Sequence, residues 1–180
     1  MASRNGSLHN AAAMVASSNA GPELLELVER DLAMANRRSI PARWTLHVIK
    51  ACLAEDDLNT LADWAKAAGV SYTSLRESCY LLNIRPHDAR DFARVLRAVL
   101  RSSSKGWDPA RFLDIADRRT MSALLGKSGL GDPDGSQSLL DQFFEAQAFI
   151  DHTNPGVLRL AALLKGAVAF ESRTNPGGLR

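Results

Sequence analysis

Ser71, Tyr72, Thr73, Arg76, Glu77 and Tyr80 bring six hydrogen-bonding side chains to the exposed side of one short helical segment, which turns Leu75 and Cys79 inward at i, i+4 spacing. The chemistry open to such a set is noncovalent recognition of a surface rich in donors and acceptors. Arg76 suits a bidentate contact to guanine, a contact type that discriminates by ~1–3 kcal/mol. Thr73 suits a thymine methyl or a phosphate, and Tyr72 and Ser71 suit phosphates. Glu77 accepts from cytosine or pairs with a nearby arginine. No catalytic pattern competes with this one. The histidines (His9, His47, His87, His152) are scattered, and the chain holds no H-E-x-x-H, phosphate loop, CxxC or nucleophile elbow. Neither an enzyme, a cofactor nor a metal site is expected. His47 falls on an apolar helical face, the place of a core histidine. His87 follows a helix-starting proline and suits a phosphate contact if it lies near a groove.

The elements that must position these side chains are legible around them. Residues 61–82 read LADWAKAAGVSYTSLRESCYLL. Leu61, Trp64, Ala65 and Ala68 recur with helical periodicity, and Gly69 stops the helix where a tight turn needs a left-handed backbone. Val70 is an apolar plug, and Ser71 is the N-cap of the next helix. Ala65 is the small residue that two closely crossing helices require. The order matches a helix-turn-helix whose second helix presents its outer face to a major groove.

Helical signals extend over most of the chain, and no convincing alternating strand is found. Helices are expected at about 22–36, from Pro41 to about Ala54 (stripe Trp44, His47, Val48, Ala51, Cys52), and from Pro86 to about Ser103. Asp57 or Asn59 is expected to cap the first helix of the helix-turn-helix. Asp108 caps a short helix to about Asp114, Asp117 caps another, and two more run over 137–150 and 157–169. On a wheel of about 100° per residue, Ala89, Phe92, Ala93, Leu96, Val99 and Leu100 form the apolar side of the long helix. Arg90, Arg94, Arg97 and Arg101 form a stripe on another side. That stripe is either a solvated face or a track for phosphates. Leu139, Leu140, Phe143, Phe144, Ala146 and Ile150, interrupted by Gln147, form a broad apolar face that covers the core or serves self-association.

The stretch LADWAKAAGVSYTSLRESCYLLNIRPHDARDFARVLRAVL, followed by LDIADRRTMSALLGKSGL, resembles the AraC-type DNA-binding domain over roughly residues 58–130. The shared order is Ala, Gly-Val-Ser, Leu, a short turn before proline, an arginine-containing linker helix and a second capped helix ending at glycine. The resemblance implies an all-α fold: two helix-turn-helix-like units joined by a long linker helix, with flanking N- and C-terminal helices. It implies a second, weaker recognition helix near 117–127, with Arg118, Arg119 and Thr120 in its leading turn and Met121, Leu124 and Leu125 inward. Arg90 and Arg94 would contact phosphates from the linker helix. The chain departs from the pattern where WDPARFL compresses the second unit's first helix and Asp114-Ile115 replaces a glycine-aromatic turn. The sequence carries no pattern of a sensor or receiver domain, so a module without one is expected.

Bulk properties agree with this organisation. Residues 57–130 hold twelve Lys/Arg against eight Asp/Glu, whereas residues 1–56 hold six of each and residues 131–180 hold four against six. A nucleic-acid module is expected to be basic in that middle segment. The expected division is a disordered tail at 1–20, N-terminal helices at 21–56, the DNA-binding domain at 57–130, C-terminal helices at 131–170 and a disordered tail at 171–180. Cys52 and Cys79 occupy apolar helical positions, as buried free thiols do. The start lacks the pattern of a signal peptide and no segment approaches ~18 apolar residues, so a cytoplasmic protein without membrane contact is expected. The expected partner is double-stranded DNA, with a second copy or a separate sensor or receiver protein as further partners. The alternative is a helical protein-interaction module that keeps the scaffold without binding DNA.

Overall fold

The computed structural model describes residues 39–105, 108–130 and 138–174, with side chains over 39–102, 108–130 and 138–164. The helix expected at 22–36 and the tail expected at 1–20 lie outside the described residues. Among the described residues, regular structure is entirely helical. The helices are α1 (Ile40–Leu53), α2 (Leu61–Ala68), α3 (Tyr72–Tyr80), α4 (Pro86–Lys105), a 3₁₀ turn (Pro109–Phe112), α5 (Arg118–Lys127), α6 (Leu139–Ala146) and α7 (Pro155–Thr174). α7 thus continues past residue 171, where a tail was expected.

α1 is the central post and packs against α2, α3, α4 and α7. Proline in its first turn presets the backbone, and the expected stripe of Trp44, His47, Val48, Ala51 and Cys52 is buried, with Ala42, Thr45 and Ile49 widening it. Phe92 of α4 joins three elements through ring contacts: centroids lie 5.9 Å from Trp44, 5.1 Å from Phe143 and 6.2 Å from Phe144. Burial of each such ring contributes about 1.5–3 kcal/mol. α7 lies close on α1 because residue 156 is glycine: a Cβ there would stand 2.7 Å from Trp44 Cε3 and 3.0 Å from Leu82 Cδ1.

The apolar face after residue 138 covers this core. Leu140, Phe143, Phe144 and Ile150 are buried, although Ala146 is exposed. Gln147, which breaks the apolar pattern, is itself fully buried. Its amide turns the chain between α6 and α7, accepting from the Phe149 and Ile150 N–H groups at 2.9 and 3.0 Å and donating to the Ile150 carbonyl at 2.7 Å. Every one of those backbone groups would otherwise be orphaned in the interior.

The arginine stripe of α4 is neither the solvated face nor the phosphate track that the sequence suggests. Residues 92–100 of α4 are buried on all sides, and Arg94 and Arg97 are 6% and 2% exposed. Arg94 donates to Asp57 Oδ2 at 2.8 Å (Nε) and 2.5 Å (Nη2), to Asn59 Oδ1 at 2.5 Å and to the Asp114 carbonyl at 3.2 Å. Arg97 donates to the carbonyls of Ala54, Glu55 and Phe112, and Arg101 also reaches the Ala54 carbonyl. Arg90 donates to the Asn59 carbonyl at 2.9 Å and pairs with Asp91. The physical reason is supply and demand: the segments 54–59 and 112–114 bring backbone carbonyls and the Asp57 carboxylate against α4, and guanidinium groups donate to them.

The same network moves a helix cap. Asp57 and Asn59 are engaged by Arg94, so neither caps α2. Thr60 does, accepting from the Asp63 N–H at 3.1 Å, while Asp63 accepts from the Thr60 N–H at 2.7 Å, a reciprocal capping box.

α5 is the least integrated helix. None of its residues is buried, and Met121, Leu124 and Leu125 are half-buried rather than inward. Its C-terminal end carries the attachment: Lys127 Nζ lies 2.6 Å from Asp88 and over the Phe149 ring, the Lys127 carbonyl accepts from Ala148 N–H at 2.8 Å, and left-handed Gly129 sits against Ala146. A 3₁₀ turn replaces the α-helix that a second helix-turn-helix unit would place before it.

Asp57 is the acceptor on which the buried arginines depend, with its side chain 4% exposed beside Arg94 at 8%. Asp57→Ala is expected to lower the unfolding free energy by about 3–5 kcal/mol, the cost of leaving a buried charge uncompensated. Urea denaturation measures this, and a loss of no more than about 1 kcal/mol would show that the pair behaves as a surface ion pair.

Candidate nucleic-acid interface

The candidate surface rests on how firmly α2 and α3 are fixed to α1. Gly69 has φ 67°, the left-handed conformation the turn demands, and the Val70 N–H closes it on the Ala65 carbonyl at 3.0 Å. Lys50 of α1 donates to the Ala68 carbonyl at 3.1 Å, placing a cation at the C-terminal end of α2 where the helix dipole favours it. The Trp64 indole N–H donates to the His47 carbonyl at 3.0 Å. Ser71 caps α3 as expected, its hydroxyl accepting from the Ser74 N–H at 3.1 Å. Trp64, Leu75, Cys79 and Phe92 are all fully buried core residues.

His47 underpins α3 from below. It is 3% exposed, and its Nδ1 lies 3.2 Å from Ser78 Oγ. The Ser78 hydroxyl proton goes to the Leu75 carbonyl at 2.7 Å, so the oxygen is left to accept and Nδ1 carries the hydrogen. Burial first, then the charges of Lys50 and Arg43, push the His47 pKa down to about 4. Burial likewise pushes the thiols of Cys52 and Cys79 up to about 12 and about 11, which leaves both as unreactive free cysteines.

The outer face of α3 carries the expected residues. Tyr72, Thr73, Arg76, Glu77 and Tyr80 are exposed, while Leu75, Ser78 and Cys79 face the core. Tyr72, Arg76 and Tyr80 follow each other at i, i+4, i+8 and form a ladder. The Arg76 guanidinium carbon lies 5.5 Å from the Tyr72 ring centroid and 5.6 Å from that of Tyr80, and Nη2 donates to the Tyr80 hydroxyl at 3.0 Å. That hydrogen bond, then the electrostatic influence of Tyr80 and Tyr72, raises the Arg76 pKa further above its ordinary value. Sequence reasoning missed the ladder although its four-residue spacing was the available signal. Leu81, also unforeseen, adds an exposed apolar side chain at the end of α3.

The other expected contact residues are distributed differently. Arg94 is withdrawn into the protein and has no access to a phosphate, and Arg90 is half-buried against Asn59 and Asp91. Arg118 and Arg119 are exposed in the first turn of α5. Thr120 is exposed, but its hydroxyl and N–H both bond to the capping Asp117, at 2.5 and 2.7 Å. The Thr120 hydroxyl and N–H hold the Asp117 pKa below the usual carboxylate value. Among the described residues, no three His, Cys, Asp or Glu side chains come together as a metal-binding group, and no helix is long and apolar enough to cross a membrane. Compared with known proteins, the chain matches no family model and shows no significant match to a curated protein or a solved structure.

His47 predicts a pH response. The unfolded imidazole takes up its proton near pH 6.5, the folded one only near 4. Between those values the unfolded chain binds the extra proton, so the contribution is complete above about pH 6.5 and is lost as pH falls towards 4, by roughly 3 kcal/mol at most. Urea midpoints for wild type and His47→Gln, taken at neutral pH and near pH 4.5, check this. Parallel pH slopes in the two proteins would assign the response to another group.

Proposed function

We infer that this chain is a sequence-specific DNA-binding regulator of transcription, a binding protein rather than an enzyme, acting in the cytoplasm through an AraC-like helix-turn-helix. The observation that carries the reading is the exposed Tyr72, Thr73, Arg76, Glu77 and Tyr80 face of α3, presented by a glycine turn that Lys50 and Trp64 fasten to the central helix. A rigid helix whose outer side carries an arginine flanked by hydroxyl-bearing residues suits the major groove, where arginine reads guanine O6 and N7. Arg118 and Arg119 of α5 supply a second, weaker contact region, and a second copy or a separate sensor protein supplies the input. The arginines of the linker helix contribute scaffold rather than phosphate contacts.

One observation favours a second reading, a protein-interaction module. Tyr72, Tyr80 and Leu81 are 45%, 56% and 51% exposed around Arg76. Tyrosine and arginine are the residue types enriched in interface hot spots.

Salt dependence separates the two. Binding to duplex DNA through a few phosphates gives a slope of about −2 to −4 in log K against log salt. A slope near zero would leave the protein-interaction reading in possession. Arg76→Ala is expected to erase discrimination at one base pair by roughly 5- to 150-fold while nonspecific affinity changes little. Equal loss on every sequence would make Arg76 a backbone contact.

A further inference from the structure

The ladder on α3 assigns a role beyond contact. Tyr72, Arg76 and Tyr80 lie one helical turn apart in succession, so at about 100° per residue each is turned only about 40° from the last and the three share one stripe. The stripe is centred about 80° around the helix from the side that buries Leu75 and Cys79, and its tyrosines stay open to solvent: Tyr72 and Tyr80 are 45% and 56% exposed. Neither tyrosine belongs to the buried core. They do restrict the arginine, with a ring at 5.5 Å on one side, a ring at 5.6 Å on the other and the Tyr80 hydroxyl accepting from Nη2 at 3.0 Å.

An unrestrained arginine loses much rotamer freedom when it makes a fixed contact, and restricting it in advance favours the contact geometry. One of the five guanidinium N–H groups is engaged by Tyr80, which leaves four for a partner. Guanine needs two parallel donors, so the capacity is sufficient.

We propose that Tyr80 is a specificity-determining positioning residue: its hydroxyl fixes the Arg76 guanidinium in the orientation that reads guanine, with Tyr72 steadying the opposite side. This rests on the DNA-reading role of α3. It differs from a plain contact role because Tyr80 acts through Arg76 and not on DNA directly.

The test is a double-mutant cycle read by base-pair-resolved binding to randomised duplexes, using the full chain as wild type, Tyr80→Phe, Arg76→Ala and both together. Tyr80→Phe keeps the ring and removes only the hydroxyl. The expected result is a loss of about threefold to tenfold in preference for guanine at the position read by Arg76, with the salt slope unchanged. The double variant should match Arg76→Ala alone. Unchanged preference in Tyr80→Phe overturns the proposal while leaving the DNA reading intact. So does an identical Tyr80→Phe effect with and without Arg76, because the hydroxyl would then touch DNA itself. Absence of salt-dependent duplex binding in the wild type takes down both.

Discussion

The fold depends on Asp57. A single carboxylate accepts from two nitrogens of Arg94, accepts from the Asp114 N–H at 2.6 Å, and stands 4.0 Å from Arg97. Around it, Arg97 and Arg101 gather the carbonyls that follow the last turn of α1, groups that no intrahelical bond can reach. The segments tied down in this way are the ones that lead into α2 and towards α5. Both surfaces that carry exposed candidate residues are therefore registered against α4 by charge-assisted hydrogen bonds as well as, for α2 and α3, by the apolar packing of Trp64, Leu75 and Cys79. Such a node is close to all-or-none, because a buried guanidinium left partly unsatisfied is worse than none.

This arrangement explains why the charge distribution of the sequence overstates the basic surface. Residues 57–130 carry twelve Lys/Arg, yet Arg90, Arg94, Arg97, Arg101 and Lys127 bond to carbonyls or carboxylates of the same chain. What remains outward around α3 is sparse: Arg76 on the helix itself, with Lys66 before it and Arg85 after it. A surface of that kind gains less from long-range attraction and more from the geometry of individual contacts. The tyrosines beside Arg76 fit that balance.

Local rules made much of this legible. Gly69 and Ser71 announced a turn and a cap because only certain residue types solve those backbone problems, and the i, i+3, i+4 stripe of α1 announced its buried face. Gln147 read as an interruption and proved to be a hinge for the chain, since one amide can satisfy three backbone groups at once. The wheel of α4 failed for a different reason. Periodicity separates polar from apolar, but whether an arginine faces water or a loop depends on segments distant in sequence: Asp57 lies 37 residues from Arg94, and the Asp114 carbonyl lies 20 away. Similarly, Asp57 and Asn59 had the chemistry of helix caps and lost that role to Thr60, because a buried cation is a stronger claimant than an exposed N–H.

α5 has a mechanical consequence of its own. Its ten residues form a rod about 15 Å long, with Lys127, Ser128 and Gly129 clamped at one end and Arg118 and Arg119 at the other. A beam gripped at its root multiplies any small rotation there into a larger sweep at its tip. The lever therefore has two settings: Asp88, Ala146, Ala148 and Phe149 hold its root, while the Asp57–Arg94 cluster holds Asp114, four residues before the tip.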